Sequence, residues 1–174
     1  MSEYLVLDAQ HGNRESLTGL VRLWSPRMTR RARRLTGDEE GAREVVQESW
    51  VAAARGLHSL RDPSKFGGWV YRIVQNKAAD WIQQQSRDRV LNRSLRDQGV
   101  AESEDGSSED YSQDIRVAIG HLDPKLREVV YLFYMDQCTV SQIAGVLGIP
   151  VGTVKTRLSA ARLQLKSQLE RSTQ

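Results

Sequence analysis

The sequence predicts an all-α protein made of two small helical domains joined by a flexible acidic linker. Apolar residues recur at intervals of three and four, the period of one face of an α-helix. Residues that start and stop helices separate these stretches. Acidic side chains are concentrated in one central segment that has almost no apolar residues. These patterns together predict helical domains at residues 1–96 and 115–174, with a linker at residues 97–114.

Charge is distributed unevenly along the chain and supports this division. Residues 1–96 carry 17 basic and 11 acidic side chains, residues 97–114 carry seven acidic and no basic ones, and residues 115–174 carry eight basic and four acidic ones. The linker cannot bury enough apolar surface to offset the entropy of ordering, so we expect it to be flexible. It either only tethers the domains or imitates a polyanion in a groove meant for nucleic acid.

Whole-chain properties exclude several classes of protein. No apolar run approaches the roughly 20 residues needed to span a bilayer, which predicts no membrane insertion. The N-terminus lacks the basic start, apolar stretch and cleavage site of an export signal, so we expect a cytoplasmic protein. Cys138 is the only cysteine of the chain, and the three histidines show no metal-ligand spacing with it. We therefore expect no internal disulfide, no metal and no cofactor.

The first helix of the N-terminal domain begins after Gly12, with Asn13 as its expected cap. Pro26 is expected to kink or divide it. Gly37 and Asp38 then stop this helix and cap the next one. The apolar face of the first helix is formed by Leu17, Leu20, Val21, Trp24 and Met28. A dense basic stretch follows, formed by Arg27, Arg30, Arg31, Arg33 and Arg34.

The second helix of this domain has one apolar and one polar face, as expected of a helix packed on a core. Its predicted inward residues are Ala42, Val45, Val46, Ser49 and Ala53. Its predicted polar face consists of Arg43, Glu44, Gln47 and Glu48.

The third helix follows a turn at Asp62 and Pro63 and is expected to start near Gly68. Aromatic and polar residues interleave along it: Trp69, Tyr71, Arg72, Gln75, Asn76, Lys77 and Trp81. Aromatic residues at this spacing are typical of a core. Flat rings beside arginine and lysine are also what unpaired bases stack on, so both interpretations stay open.

The C-terminal domain contains two short helices joined by a tight turn. Thr139 and Gln142 form a capping-box pattern at the start of the first helix. Gly148 is placed for a left-handed C-cap, and Pro150 opens the second helix. The predicted buried stripe of that second helix is Val154, Leu158, Ala161 and Leu165. With its basic outward face, this pattern predicts a DNA-reading helix-turn-helix.

Three segments of the chain resemble conserved regions two and four of bacterial sigma factors, specifically the extracytoplasmic-function group of the sigma-70 family. They read LTGDEEGAREVVQESW, GGWVYRIVQNKAADW and LDPKLREVVYLFYMDQCTVSQIAGVLGIPVGTVKTRLSAARLQL. They occur in the family's order and separation, and the resemblance as a whole covers nearly all of the chain outside the linker. The resemblance implies a region 2-like bundle at residues 1–96 and a region 4-like helix-turn-helix at residues 115–174.

The resemblance also implies a role for each polar surface. Contact with core RNA polymerase is implied for Arg43, Glu44, Gln47 and Glu48. Capture of the unpaired −10 promoter element is implied for Trp69, Arg72, Gln75, Asn76, Lys77 and Asp80. Readout of the −35 element is implied for Gly152, Thr153, Lys155, Thr156, Arg157, Ser159 and Arg162. The implied partners are core RNA polymerase, promoter DNA and an anti-sigma factor, with no small-molecule substrate and no catalysis by this chain.

Two other functional classes explain less of the sequence. A stand-alone helix-turn-helix regulator would explain the C-terminal third, but not the polar face around Glu44 or the acidic linker. An enzyme is disfavoured because the sequence has no phosphate-binding glycine loop, no HExxH motif and no paired cysteines. Its serine and threonine residues also have no recognisable base partner.

Overall fold

The computed structural model describes residues 2–93 and 113–172, and these contain helices and no strand. The all-α prediction is therefore confirmed. The chain divides into two compact units, one within Met1–Glu104 and the other within Asp105–Gln174. Most of the predicted linker, residues 97–112, lies outside the described residues, whereas its last two residues belong to a helix.

The first unit is a bundle of three longer helices that pack on one another. A short N-terminal helix packs on the first of these longer helices. The helices are α1 (Ser2–Gln10), α2 (Arg14–Thr36), α3 (Glu39–Gly56) and α4 (Phe66–Arg93). Short 3₁₀ turns at Leu57–Ser59 and Pro63–Lys65 connect α3 to α4.

Helix α1 was not predicted from the sequence. It buries Val6 and Ala9. The side-chain amide of Gln10 donates to the carbonyl oxygens of Leu57 and Leu60, at 2.8 Å each. Long-range contacts of this kind, which have no local pattern in the sequence, hold α1 in place.

The predicted ends of α2 are confirmed, but its interruption is not. Asn13 caps the helix by accepting hydrogen bonds from the backbone N–H groups of Glu15 and Ser16, and Gly37 takes the left-handed conformation at φ 65°. The helix runs through Pro26 without a break. Burial of Trp24 and Met28 on either side of the proline stabilises the uninterrupted helix, since packing of the apolar face dominates helix stability in a folded protein.

The core of the first unit is built around aromatic rings. The Trp24 ring lies 5.5 Å from that of Phe66 and 5.8 Å from that of Tyr71, both edge-on. All four tryptophans of the chain lie in this unit. Three of them lie against a glycine, because a Cβ atom added to Gly41, Gly56 or Gly67 would press on the ring of Trp81, Trp69 or Trp24, respectively. These glycines let neighbouring helices approach more closely than any other residue would allow.

The five predicted inward residues of α3 are all buried. Helix α4 begins at Phe66, two residues before the predicted start at Gly68. Tyr71 is fully buried, which supports the core interpretation of this aromatic residue.

The second unit contains α5 (Gln113–Gly120), α6 (Pro124–Val130), α7 (Val140–Leu147) and α8 (Val151–Ser172). A π-helical turn, Tyr131–Met135, extends α6. Ile119, Leu122 and Val130 pack with Ala161 of α8 in one core cluster, against which Leu165 lies half-buried. The second half of the predicted stripe of α8 thus faces this core, and its first half, Val154 and Leu158, is also buried.

Candidate interaction surfaces

The polar face of α3 is exposed along its whole length because the opposite face is buried against α2 and α4. All four predicted polymerase-binding residues belong to the exposed face: Arg43, Glu44, Gln47 and Glu48. Arg43 forms an ion pair with Glu39 at 2.9 Å. The structure therefore brings these four side chains together on one accessible helix surface.

Two acids of this face also contact α4. Glu48 forms an ion pair with Lys77 at 2.9 Å, and Glu44 accepts a hydrogen bond from the indole N–H of Trp81 at 3.1 Å. The predicted polymerase-binding face and the predicted −10 face are therefore linked through side chains, a connection that residue spacing alone did not reveal.

Val51 is an exposed apolar residue that continues the α3 face towards the C-terminal end of the helix. Its side chain follows Gln47 by one helical turn and Glu44 by two. It is 46% exposed although it lies on a helix that buries most of its other apolar residues. Sequence reasoning missed Val51, although its spacing from the polar residues could have identified it.

The six residues predicted for the −10 element divide into two groups on α4. Arg72, Asn76 and Asp80 are exposed, and their spacing of four residues makes them a row on one helix face. This row presents a cation, an amide and a carboxylate in succession. Such groups can bind phosphates and the hydrogen-bonding edges of unpaired bases.

The other three residues, Trp69, Gln75 and Lys77, are half-buried and contact neighbouring helices. The Trp69 ring packs against Gly56 at the end of α3, where an added Cβ atom would lie 3.1 Å from the ring, and Lys77 forms an ion pair with Glu48 of α3. Gln75 accepts a hydrogen bond from the guanidinium of Arg31, which is only 2% exposed and lies over the Tyr71 ring. This hydrogen bond therefore links α4 to α2.

The helix-turn-helix has the local geometry that its sequence predicts. The Thr139 hydroxyl accepts from the Gln142 backbone N–H, and the Gln142 side-chain oxygen accepts from the Thr139 N–H, which completes the capping box. Gly148 ends α7 at φ 65°. Helix α8 begins at Val151, and the Pro150 carbonyl accepts its first backbone hydrogen bond, from Val154.

Helix α8 presents the residues predicted for the −35 element on its surface. Gly152, Lys155, Thr156, Ser159 and Arg162 are exposed. Thr153 and Arg157 are half-buried on its flanks. The Thr156 hydroxyl donates to the Gly152 carbonyl at 3.0 Å. A helix with such an exposed polar face can enter the major groove of duplex DNA.

Arg162 also contacts the π-helical turn. Its Nε donates to the Tyr134 hydroxyl at 3.0 Å, and its guanidinium lies 5.9 Å from the centre of the Phe133 ring. The other α8 residues predicted for the −35 element form no such contact with this turn in the part of the chain that is described.

Among the described residues, no group of His, Cys, Asp or Glu side chains could hold a metal ion. None of the described helices is both long and apolar enough to cross a membrane. Cys138 is buried.

Two family models match the chain. Residues 20–88 match sigma-70 region 2, and residues 112–165 match sigma-70 region 4. The first match contains α3 and most of α4, and the second contains the helix-turn-helix.

Individual relatives are similar over most of the chain. The ECF RNA polymerase sigma factor SigW of Bacillus subtilis is 27% identical over 94% of both chains. The ECF RNA polymerase sigma-E factor of Salmonella typhimurium is 30% identical over 73% of both. The solved structure of CnrH, in complex with the cytosolic domain of CnrY, is 26% identical, with a TM-score of 0.66 over 98% of this chain and 97% of that one.

Proposed function

Because this chain belongs to the extracytoplasmic-function group of the sigma-70 family, and so acts in promoter recognition and transcription initiation with RNA polymerase, we propose a division of this work between its two units. The first unit binds core RNA polymerase through α3 and captures the −10 element through α4. The second unit reads the −35 element through α8. The observation that carries this proposal is that α3, α4 and α8 each present exposed polar residues of the predicted sets on a helix whose opposite face is buried.

The α3 face suits a protein partner because it combines charged side chains with one apolar residue. Val51 lies on the same face one helical turn beyond Gln47 and offers apolar surface that a partner can bury. Exposed charges around such a residue add specificity and speed association more than they add affinity. Gln47 and Val51 are therefore the central contacts of the proposed polymerase interface.

The row of Arg72, Asn76 and Asp80 is the proposed reader of the unpaired −10 strand. A base taken out of the duplex loses its stacking, so its reader must provide new hydrogen bonds and stacking partners. Asn76 can donate to and accept from a base edge, while Arg72 can bind a phosphate. Support comes from the exposure of these three side chains on one face.

Helix α8 is the proposed reader of the −35 duplex. Lys155 and Arg162 would contact phosphates, which position the helix, while Thr153 and Thr156 lie nearer the base edges.

We further assign the protein no catalytic activity of its own and a cytoplasmic site of action, where RNA polymerase works on DNA. We also propose that an anti-sigma protein binds and inhibits it. The basis for this partner is that CnrH, which has the same fold over nearly the whole chain, is in complex with the cytosolic domain of CnrY.

Co-purification with bacterial core RNA polymerase, followed by transcription from a library of genomic fragments, tests the proposal. Binding together with new, discrete start sites supports it. Failure to bind core enzyme, with retention of duplex DNA by the protein alone, would favour a stand-alone regulator.

The α3 interface is tested by placing a charge at its exposed apolar residue. Val51→Asp should weaken core polymerase binding by about tenfold, since a partner would have to bury a carboxylate in place of an apolar side chain. Leu7→Asp is the matched control because Leu7 is 47% exposed in the same unit but lies on α1. If Val51→Asp and Leu7→Asp bound core polymerase equally well, α3 would not be the interface.

A further inference from the structure

The π-helical turn Tyr131–Met135 contacts the helix that carries the predicted −35 residues. The backbone N–H of Asp136 donates to the Tyr131 carbonyl at 3.0 Å, which is the wide i to i+5 bond of a π-helix. Such turns often occur at functional sites. The turn carries two adjacent aromatic residues, Phe133 and Tyr134, whose rings meet edge-on at 5.0 Å.

Both aromatic residues contact the guanidinium of Arg162. The Tyr134 hydroxyl accepts from Nε at 3.0 Å, and the Phe133 ring centre lies 5.9 Å away. Nε is the inner nitrogen of the guanidinium. The two terminal nitrogens form no hydrogen bond within the part of the chain that the structure describes, and Arg162 remains exposed.

Arg162 lies on the same face of α8 as Lys155 and Ser159. Seven residues, or two helical turns, separate Arg162 from Lys155, which places their backbones about 10 Å apart along the helix. This separation is large enough for the two cations to bind different phosphates of one duplex.

We infer that Tyr134 and Phe133 are positioning residues that fix the Arg162 guanidinium with its terminal nitrogens available to a backbone phosphate of duplex DNA. The inference rests on the proposed role of α8 as the duplex reader. A free arginine side chain loses rotamer entropy when it binds a phosphate. Holding Nε and the guanidinium plane in advance reduces this loss and presents the planar pair of donors that matches phosphate oxygens.

The test measures the affinity of the full chain for a mixed-sequence DNA duplex by fluorescence anisotropy over a range of NaCl concentrations. Arg162→Ala should reduce the slope of log affinity against log salt by about 0.9, as expected for one lost phosphate contact. Tyr134→Phe removes only the hydroxyl and should lower affinity between about twofold and tenfold. Tyr4→Phe, at an exposed tyrosine of α1, is the control.

A double-mutant cycle separates positioning from a general structural effect. Tyr134→Phe should have no further effect in the Arg162→Ala background, since the hydroxyl acts only through that arginine. Equal losses in both backgrounds would overturn the inference, and so would unchanged affinity of Tyr134→Phe in the native background. Thermal unfolding followed by circular dichroism checks that each variant is folded.

Lys155→Ala distinguishes this inference from the proposed function. If Lys155→Ala reduces the salt slope while Arg162→Ala does not, the positioning role is wrong and α8 still binds duplex DNA. If neither variant changes the slope, α8 is not the duplex reader and both proposals fall.

Discussion

Single side chains in this protein often contribute to an exposed surface while contacting another helix. Glu44 and Glu48 belong to the α3 face, yet they bind Trp81 and Lys77 of α4. Periodicity predicted which residues are exposed, because exposure follows from the helical repeat. It could not predict the partners, since contacts between helices depend on how the helices cross.

Asp62 illustrates a local contact whose effect on titration can be measured. Its carboxylate accepts from the Ser64 hydroxyl at 2.6 Å and the Ser64 backbone N–H at 3.1 Å, and Lys65 lies 3.3 Å away. The Ser64 hydroxyl is the main cause that lowers the pKa of Asp62 below its ordinary value of 3.8. Because the pKa of Asp62 is lower in the folded than in the unfolded protein, its carboxylate stabilises the fold at pH values above the unfolded-state pKa. This contribution is lost as the pH falls through the folded-state pKa.

Ser64→Ala should therefore raise the pKa of Asp62 towards its ordinary value, because the largest hydrogen bond to the charged form is removed. Titration of the side-chain carboxyl carbon by NMR gives the midpoint directly. Ser59→Ala is the control, since the Ser59 hydroxyl donates to the Gly56 carbonyl instead. An unchanged Asp62 midpoint in Ser64→Ala would contradict the assigned cause.

The helices themselves were largely predictable because their ends carry side-chain caps. Asn13, Asp38 and Thr139 cap helices as their residue types predict, and Gly37 and Gly148 end helices in the left-handed conformation. Helix α1 and the π-helical turn were not predicted. The first is held by distant residues, and the second shifts the helical register without a distinctive residue in the sequence.

Close approach of helices α2 and α4 depends on Gly67. Alanine at this position would place its Cβ atom 2.6 Å from the Trp24 ring, and this ring is itself buried beside Phe66 and Tyr71. Gly67→Ala should therefore lower the free energy of unfolding by about 1–3 kcal/mol, the usual cost of overpacking a core. Urea unfolding followed by tryptophan fluorescence measures this change.

Gly145→Ala is the matched control for this prediction. Gly145 lies in α7, and a Cβ atom added there would meet no neighbouring side chain within 4 Å among the described residues. Alanine there should raise helix stability by up to about 1 kcal/mol, because glycine is the poorer helix former. Unfolding of this unit is followed by circular dichroism. Stability of Gly67→Ala equal to that of the unchanged protein would show that the Trp24 ring can shift freely.

At the scale of the whole molecule, the two proposed DNA surfaces lie in different compact units. Composition and charge predicted two helical domains, and the resemblance to sigma factors implied a function for each of them. The roles of the residues at the proposed sites were implied by that resemblance, and helical spacing predicted which residues share a face. What spacing could not predict was that Gln75 and Lys77 contact other helices, since this depends on the tertiary structure.

This separation predicts that substitutions in the two units affect different steps of initiation. In a polymerase complex, Asn76→Ala should reduce promoter opening by about tenfold, since a lost base contact costs about 1–3 kcal/mol. Permanganate reactivity of unpaired thymines measures opening. Lys155→Ala should instead weaken the initial binding of duplex DNA and its salt dependence.

Thr18→Ala provides the control, because Thr18 is exposed on α2 and lies outside both proposed DNA surfaces. If Asn76→Ala and Lys155→Ala impaired the same step equally, the division of labour between the units would be wrong.

The placement of all four tryptophans in the first unit gives the protein a built-in optical reporter. Excitation that selects indole reports on the surroundings of α2, α3 and α4, the helices that carry these tryptophans. Trp81, whose ring lies on Gly41 and donates to Glu44, is at the edge of the α3 face. Its emission is one part of this indole signal and should respond when a partner covers the α3 face, whereas the second unit, which has no tryptophan, adds no indole emission.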